Sequence, residues 1–501
     1  MKAPGAPFSL EVVSNSVIKP RAAGGSNGKN GASGGGSGGG TTPLSVFDAT
    51  IVATSIGRAI SFPAPIDPKT LAAALQQTVD DLPFLAGRFG GLKKLRLDSL
   101  AIQHTGEGVP FTVVRAEGAS LAVLEPEHWP RSGVTIAQPA WPWYLERMDV
   151  GKKLLSGQEP LMRVRLTQLD DGSVLGFTFC HSLFDGTRWP AFASHLAARY
   201  VAAAGGQQPG KEQLLRPCDR RQLSVEHMKA QLLGEGAGTW VAPKTHVRAS
   251  LLGYWHLFKL LMANNRQTMD LLLLHIPQKQ VAALKQMAAD GTDLPITSGD
   301  AVQAAAALLM HTADGRPLLP VAPKHLAVIV QLPAPESYFG NGCRLLRASM
   351  PAGTPQPAAH DAPAALRALA SAIRKATAAF RTSPEEQLKA MADTEALAAA
   401  PAPRMLAFLA SKRRPLLTCS LNYVPAQPKM DLGLGTAALV DRELTHPLAR
   451  GMVVIRGAEQ QPYSDGLLVQ LCVSPQAAKR LRQHPLLKTL LPLATWVGSD
   501  A

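Results

Sequence analysis

Strand-type and helix-type apolar patterns alternate in both halves of this chain, and that alternation restricts the fold more than any other feature. Residues 71–82 place apolar side chains at helical spacing, whereas residues 161–180 read as two strands joined by a tight turn. The second half repeats the mixture, with strand patterns at 271–276 and 326–332 and a long helical stripe at 366–380. Strands mixed with helices in both halves predict an α/β protein with two lobes.

A break in this alternation predicts the domain boundaries. Residues 205–245 begin with a stretch rich in Gly, Gln, Pro and charge, and are predicted to link an N-terminal lobe at 8–204 to a C-terminal lobe at 246–501. At 501 residues, two lobes with separate cores are expected. Inside the first lobe, residues 23–42 form a Gly/Ser-rich tract that cannot bury apolar surface, which predicts a flexible loop.

Several classes of protein are disfavoured by what the sequence lacks. No run approaches 18 uninterrupted apolar residues, so no membrane span is predicted. The five cysteines are scattered and include no CxxC pair, which argues against a disulfide framework and a zinc site and is typical of a reducing compartment. The N-terminus lacks the charged, apolar and small-residue regions of a secretory signal, so we expect a cytoplasmic protein.

The formal net charge of +14 predicts a field that attracts anions. The basic residues form short, dispersed clusters such as Lys93-Lys94, and no zinc-finger spacing or aromatic RNA-binding signature accompanies them. Nucleic-acid binding is therefore disfavoured. A phosphorylated cofactor with a basic entrance to its site accounts for the same charge.

The sharpest local signal is the sequence His-Ser-Leu-Phe-Asp-Gly at residues 181–186, which lies between an apolar strand pattern and a helical pattern. An imidazole, with a reference pKa of about 6.5, suits proton abstraction from an alcohol or amine. Asp185 is expected to hold the turn, and Gly186 can close it with an unusual backbone angle. The pattern alone leaves open an ordinary strand-end His181 with a capping Asp185.

The strand–HxxxDG–helix unit resembles the catalytic segment of the coenzyme A-dependent acyltransferase superfamily, and more narrowly of the BAHD acyltransferases. The second BAHD signature, Asp-Phe-Gly-Trp-Gly, has a counterpart at residues 431–435 in which Leu replaces both aromatic residues. Further segments match the family in order along nearly the whole chain. They are Pro43–Asp48 ("LSxxD"), Leu82–Arg88 ("yPlAGR"), Arg216–Arg221 ("P..DR"), Thr297–Ala301 ("TSxDA") and Tyr338–Asn341 ("YFGN").

The resemblance implies two similar chloramphenicol-acetyltransferase-like lobes, each a mixed sheet flanked by helices, with a channel between them. Acyl-CoA and a small-molecule alcohol or amine would enter from opposite faces and meet at His181, the general base, in a direct ternary complex. Acyl-CoA is then a co-substrate, and no cofactor is bound permanently. The resemblance also implies a cytoplasmic monomer of specialised metabolism, similar to hydroxycinnamoyltransferases, with no metal.

The resemblance further assigns residues to roles. Coenzyme A contacts are expected at Lys285 and Ser298. Five residues are expected to be architectural rather than chemical: Asp185, Gly186, Asp431, Gly433 and Gly435.

Two departures from the family pattern matter. Family members often carry Arg-x-Arg just before "YFGN", and one of these arginines pairs with the motif Asp; here Gln331 stands in that stretch. Hydroxycinnamoyltransferases read the shikimate carboxylate with an Arg shortly before the second motif, and residues 420–423 contain none. Shikimate is therefore not supported as the acceptor.

Two other functions remain as alternatives. A catalytically silent BAHD-like binding or regulatory protein would fit the altered second motif, although the intact HxxxDG motif opposes it. A condensation-type domain of a peptide assembly line would carry two adjacent His in the motif, whereas Cys180 occupies the first position here. On a strand, neighbouring side chains face opposite sides, so Cys180 is expected to pack in the core. The acyl donor and the choice between O- and N-acylation stay open.

Overall fold

The structure is a computed structural model of the chain. It describes residues 8–21, 40–52, 54–90, 96–124, 134–135, 143–248, 250–255, 258, 268–313, 326–332, 334, 338–348, 361–406, 417–420, 430–435, 437–439, 445–446, 452–458 and 465–497.

Strands and helices alternate through the described residues. The strands are β1 (Ser9–Ile18), β2 (Thr41–Pro43), β3 (Ser55–Phe62), β4 (Arg88–Gly90), β5 (Ala101–Gln103), β6 (Val109–Glu117), β7 (Val134–Thr135), β8 (Met162–Gln168), β9 (Ser173–Cys180), β10 (Thr268–Ile276), β11 (Leu326–Gln331), β12 (Cys343–Ala348), β13 (Leu417–Ser420), β14 (Ala438–Leu439), β15 (Thr445–His446), β16 (Met452–Gly457), β17 (Leu467–Val473) and β18 (Thr495–Trp496). The principal helices are α1 (Val46–Thr50), α2 (Pro68–Asp81), α3 (Lys152–Leu155), α4 (Trp189–Ala203), α5 (Val225–Leu233), α6 (Gln278–Ala289), α7 (Ser298–Ala313), α8 (Ala362–Thr382), α9 (Pro384–Ala399), α10 (Pro475–Arg482) and α11 (Pro485–Leu490).

The first sheet has the order β1-β6-β8-β9-β3-β14, with β15 also paired to β3. Strand β9 is buried along its whole length, as a strand covered on both faces must be. Its antiparallel partner β8 completes the hairpin predicted at 161–180. Helices α2 and α4 cover the sheet, and Leu75, Phe177 and Leu196 join one apolar core.

The second sheet has the order β12-β11-β13-β16-β17-β10-β18, with β7 also paired to β10. Helices α6, α7 and α8 cover it, and Leu274, Leu308 and Ile373 lie in a second core. Two sheets, each with its own helices and core, confirm the mixed α/β class and the presence of two lobes. The helices and strands predicted in the second half are all found, each within a few residues of its expected bounds.

Each sheet also contains a strand from the other half of the sequence. Strands β14 and β15 follow the second motif and yet pair with β3 in the first sheet. In return, β7 pairs with β10 in the second sheet. The two lobes are therefore joined by shared strands as well as by the chain between them.

Two predicted segments differ from expectation in detail. The predicted linker 205–245 includes helix α5 and a short 3₁₀ helix, Arg220–Gln222. Of the predicted loop 23–42, positions 23–39 lie outside the described residues, whereas Thr41 and Thr42 belong to β2, where they pair with β5. Among the helices that the structure describes, none combines the length and apolar character needed to cross a bilayer.

A buried histidine lies where α2 packs against α4. The His195 Nε2 atom is 3.2 Å from an oxygen of Asp81, which also forms an ion pair with Arg199. The backbone N–H of Leu215 donates to His195 Nδ1 at 3.0 Å, so this nitrogen carries no proton and the ring is neutral. Burial lowers the pKa of His195 to about 4, although the charge of Asp81 opposes that effect.

This environment predicts a pH-dependent loss of stability. The unfolded chain binds a proton at His195 near pH 6.5, whereas the folded chain binds it only near pH 4. The contribution of neutral His195 to the free energy of unfolding is therefore complete above pH 6.5 and is lost as the pH falls towards 4. Each pKa unit is worth about 1.4 kcal/mol, so the loss is about 3 kcal/mol. Urea unfolding from pH 7 to 4 measures it, with His195→Gln as the comparison. Identical pH slopes for both proteins would contradict the assignment.

Candidate active site

His181 lies directly after β9, at the start of a turn formed by residues 181–186, which we call the His181 turn. Its neighbours Cys180 and Ser182 are fully buried, whereas His181 keeps part of its surface exposed. Its backbone N–H donates to the Thr54 carbonyl at 2.8 Å, which continues the pairing of β9 with β3. His181 therefore lies at the end of a strand that is paired on both sides.

Cys180 packs in the core as expected. Burial raises the pKa of its thiol to about 11, so the thiol stays protonated at neutral pH. The nucleophilic form of cysteine is the thiolate. Of the two adjacent side chains, His181 is thus the one suited to proton transfer.

The main chain of the His181 turn is held by Arg220, whose side chain is fully buried. Its guanidinium donates to the carbonyls of Ser182 and Leu183, at 2.6 and 2.7 Å. It also lies 3.2 Å from an oxygen of Asp48, which is fully buried as well. The Phe84 ring covers the guanidinium at 5.1 Å from the ring centroid. The two carbonyls next to His181 are therefore fixed by a desolvated cation.

Asp48 joins this cation to further motifs. One of its oxygens accepts from the backbone N–H of Asn341 at 2.7 Å, and the other accepts from the Tyr338 hydroxyl at 3.3 Å. Ser182 also contacts Asp48: its hydroxyl donates to the Asp48 backbone carbonyl at 2.7 Å. We call Asp48, Ser182, Arg220, Tyr338 and Asn341 the buried network. It connects the "LSxxD", HxxxDG, "P..DR" and "YFGN" segments.

The carboxylate of Asp185 faces away from the exposed surface, being 1% exposed. Its Oδ1 accepts from the N–H and hydroxyl of Thr187, at 2.9 and 2.6 Å, and from the N–H of Arg188 at 3.2 Å. These bonds close the turn on itself and lead into α4. Gly186, partly exposed, lies at the bend between Asp185 and Thr187.

The second oxygen of Asp185 binds the other lobe. It accepts from the Gly342 N–H at 2.9 Å, the Gln331 amide at 3.3 Å and the Cys343 thiol at 3.4 Å. Gln331, in the stretch where the family resemblance led us to expect an arginine, is thus one of the donors to Asp185. An uncharged donor replaces the cation, and the turn stays tethered to both lobes.

The second motif forms a tight turn packed on the first lobe. The Asp431 carboxylate accepts from the Gly433 N–H at 2.8 Å, so it acts within its own turn. Gly433 and Gly435 have φ of 71° and 87°, which only glycine adopts readily. Leu432, one of the two replacements for an aromatic residue, is buried in the first core, and Leu434 packs against it.

The two residues expected to contact coenzyme A lie on the second lobe. Lys285 is exposed on α6, and Ser298 is the first residue of α7 and half-buried. The capping bond at the start of α7 is made by Thr297, whose hydroxyl accepts from the Asp300 N–H at 3.3 Å. Ser298 is therefore not needed as the cap. Within the described part of the chain, no three His, Cys, Asp or Glu side chains converge as a metal site requires.

The roles of Asp48 and Arg220 were missed by the sequence reasoning. Both residues belong to segments that resemble the family, but neither was given a role. Arg220 also lies in the stretch that was predicted to be a linker. The signal was a pair of opposite charges about 170 positions apart, and sequence gives no means of pairing such distant residues.

The buried pair predicts an asymmetric response to mutation. Arg220→Met leaves the Asp48 carboxylate buried and unpaired, which should reduce the free energy of unfolding by about 3–5 kcal/mol. The neighbouring Arg221→Met should change it by less than about 1 kcal/mol, because Arg221 and its partner Asp219 are exposed. Urea unfolding measures both variants. Equal effects for the two would show that Arg220 is not the residue on which the turn depends.

Comparisons with known proteins agree with this geometry. Residues 41–231 match the model of the Transferase family. No curated protein matches the chain by sequence. Vinorine synthase has a TM-score of 0.57 and 16% identity, over 98% of this chain and 99% of that one. TRI101 from F. sporotrichioides, complexed with coenzyme A and T-2, has a TM-score of 0.62 and 15% identity, over 91% of this chain and 100% of that one.

A further solved structure is similar to the same extent. TRI101 from F. graminearum, complexed with coenzyme A and deoxynivalenol, has a TM-score of 0.62 and 13% identity, over 92% of this chain and 100% of that one. At these identities the likeness establishes the fold. The predicted resemblance to the BAHD acyltransferases is thereby confirmed as a resemblance: residues 41–231 match the Transferase family, and the chain has the fold of vinorine synthase and TRI101.

Proposed function

We propose that this protein transfers an acyl group from an acyl-CoA thioester to an alcohol or amine, with His181 as the general base. The observation that carries the proposal is that residue His181 is partly exposed, whereas its two neighbours are fully buried, on a turn bonded to both lobes. A general base must be held rigidly and yet be open to substrate, and this residue meets both requirements.

The reaction follows from one proton acceptor placed beside two substrates. The imidazole takes the proton of the acceptor hydroxyl or amine as its oxygen or nitrogen attacks the thioester carbonyl. The tetrahedral intermediate then collapses, the carbon–sulfur bond breaks, and the coenzyme A thiolate leaves with the proton from His181. No covalent acyl-enzyme is required, so the mechanism is a direct ternary complex in a channel between the lobes.

The buried network supports this proposal by restricting the His181 turn. Arg220 fixes the carbonyls of Ser182 and Leu183, and Asp185 fixes the far end of the turn. Correct positioning of a catalytic group contributes strongly to rate, because small displacements weaken proton transfer. In this account Asp185 is architectural, since all its described contacts are with the turn and with the second lobe.

Coenzyme A as co-substrate is supported by charge and by fold. The net charge of +14 favours an anionic ligand with several phosphates. Two TRI101 structures of the same fold are complexes with coenzyme A and a second small molecule, T-2 in one and deoxynivalenol in the other. Lys285 and Ser298 stay our candidates for coenzyme A contacts. A cytoplasmic, monomeric enzyme is the expected form.

A catalytically silent binding protein is the competing function, and it is favoured by the missing arginine near Asp185 and by the altered second motif. Both changes are accommodated in the structure. Gln331 supplies a donor to Asp185 in place of the arginine. Leu432 and Leu434 pack the second motif onto the first core. Neither departure removes a group from the His181 turn.

Thiol release tests the proposal. The purified protein is mixed with a panel of acyl-CoA donors and alcohol or amine acceptors, and free coenzyme A is followed. His181→Ala should lower the turnover rate by 10²- to 10⁴-fold, the usual contribution of a general base. His227→Ala, at an exposed position on α5, should retain the wild-type rate. Wild-type turnover by His181→Ala would remove His181 from its role.

Asp185→Asn tests the architectural role separately. The new NH₂ group cannot accept a hydrogen bond, so one set of donors loses its acceptor and stability should fall by about 1–3 kcal/mol. Turnover should fall as well, while the shape of the pH–rate profile stays as in the wild type. Asp170→Asn, in an exposed turn, is the control. A variant with wild-type stability but no turnover would assign Asp185 to the chemistry instead.

A further inference from the structure

Exposed apolar side chains are concentrated in one short segment outside the site. Among the described residues, eleven large hydrophobic side chains are exposed, and five of them fall between positions 251 and 258. Singly scattered apolar residues are normal on a protein surface, but a contiguous group marks an interaction site. We call this group the apolar patch: Leu251 (91% exposed), Leu252 (60%), Tyr254 (43%), Trp255 (52%) and Phe258 (49%).

The apolar patch has a defined local geometry. Residues 251–255 are helical, and the Ser250 hydroxyl accepts from the Gly253 N–H at 3.0 Å. Gly253 is buried, whereas the larger side chains on either side of it are exposed. The rings of Trp255 and Phe258 stack with centroids 5.8 Å apart. The spacing of Leu251, Trp255 and Phe258 places them on one side of a helical turn.

The charged residues in the sequence around the apolar patch are all of one sign. From residue 236 to residue 269 the sequence contains no Asp or Glu, although it contains four Lys or Arg residues. Two of these, Lys244 and Arg248, are described and exposed, and they precede the apolar patch directly. This stretch of sequence therefore supplies positive charge and no negative charge, which favours an anionic partner.

We propose that the apolar patch, together with Lys244 and Arg248, binds the surface of an anionic lipid bilayer. Leu and Phe side chains enter the boundary between headgroups and acyl chains, Trp and Tyr rings lie at the headgroup level, and the cations meet anionic headgroups. A second copy of this chain fits less well, because a symmetric contact would set the same cations against each other. The attachment is peripheral and involves no membrane span.

Vesicle flotation with the full-length protein tests this surface. Vesicles of phosphatidylcholine alone are compared with vesicles that also contain phosphatidylserine. The wild type should partition onto the anionic vesicles at least tenfold more strongly. Leu251→Ser/Trp255→Ser/Phe258→Ser keeps the net charge and should lower that partitioning at least tenfold. Leu406→Ser/Leu493→Ser, at two exposed positions outside the apolar patch, should bind as the wild type does.

Further measurements separate the competing results. Lys244→Gln/Arg248→Gln should reduce the preference for anionic vesicles, and unfolding midpoints confirm that each variant is folded. If the triple variant binds like the wild type, attraction by overall charge accounts for the binding and the proposal is wrong. The proposal also fails if the wild type does not bind anionic vesicles. A wild-type dimer that the triple variant cannot form, without vesicle binding, would assign the apolar patch to self-association instead.

Discussion

The ion pair between Asp48 and Arg220 is the interaction on which the rest of the site depends. Two opposite charges are taken out of water together, and each is satisfied by further hydrogen bonds, as a buried pair requires. Hydrogen bonds from the pair reach the main chain of the His181 turn and the main chain of the "YFGN" segment. The carbonyls of Ser182 and Leu183 and the N–H of Asn341 are therefore held in one fixed arrangement.

That arrangement explains why distant segments of the chain meet at the His181 turn. Asp48 comes from the first helix, Arg220 from the chain between the lobes, and Asn341 from the loop between β11 and β12. Asp185 adds a second tether from the turn to Gly342. A surface turn with a single anchor would sample many conformations, whereas this one is fixed from both lobes. In the proposed reaction, this fixation would hold the imidazole in one position beside the two substrates.

Sequence alone predicted the parts of this structure that depend on local patterns. The helix predicted at 71–82 and found at Pro68–Asp81, the hairpin at 161–180 and the strand–turn–helix unit around His181 follow from apolar periodicity and turn residues. The exchange of β14 and β15 into the first sheet was not predicted, because their short strands carry almost no periodic signal. The pairing of Asp48 with Arg220 was also missed, since it joins residues that are far apart in sequence. The partner of Asp185 was left open by the sequence, because Gln331 stood in the stretch where an arginine was expected; in the structure the Gln331 amide donates to Asp185.

The central claim is that the His181 ring faces the site where coenzyme A and the acceptor meet. Histidine-labelled protein reports on it directly by NMR, with the His181 signal assigned from the spectrum of His181→Ala. Addition of coenzyme A followed by an acceptor should shift the His181 ring signals progressively and leave those of exposed His227 unchanged. If the ligands saturate the protein while the His181 signals stay in place, the ring does not line the site and the account of its chemistry is wrong.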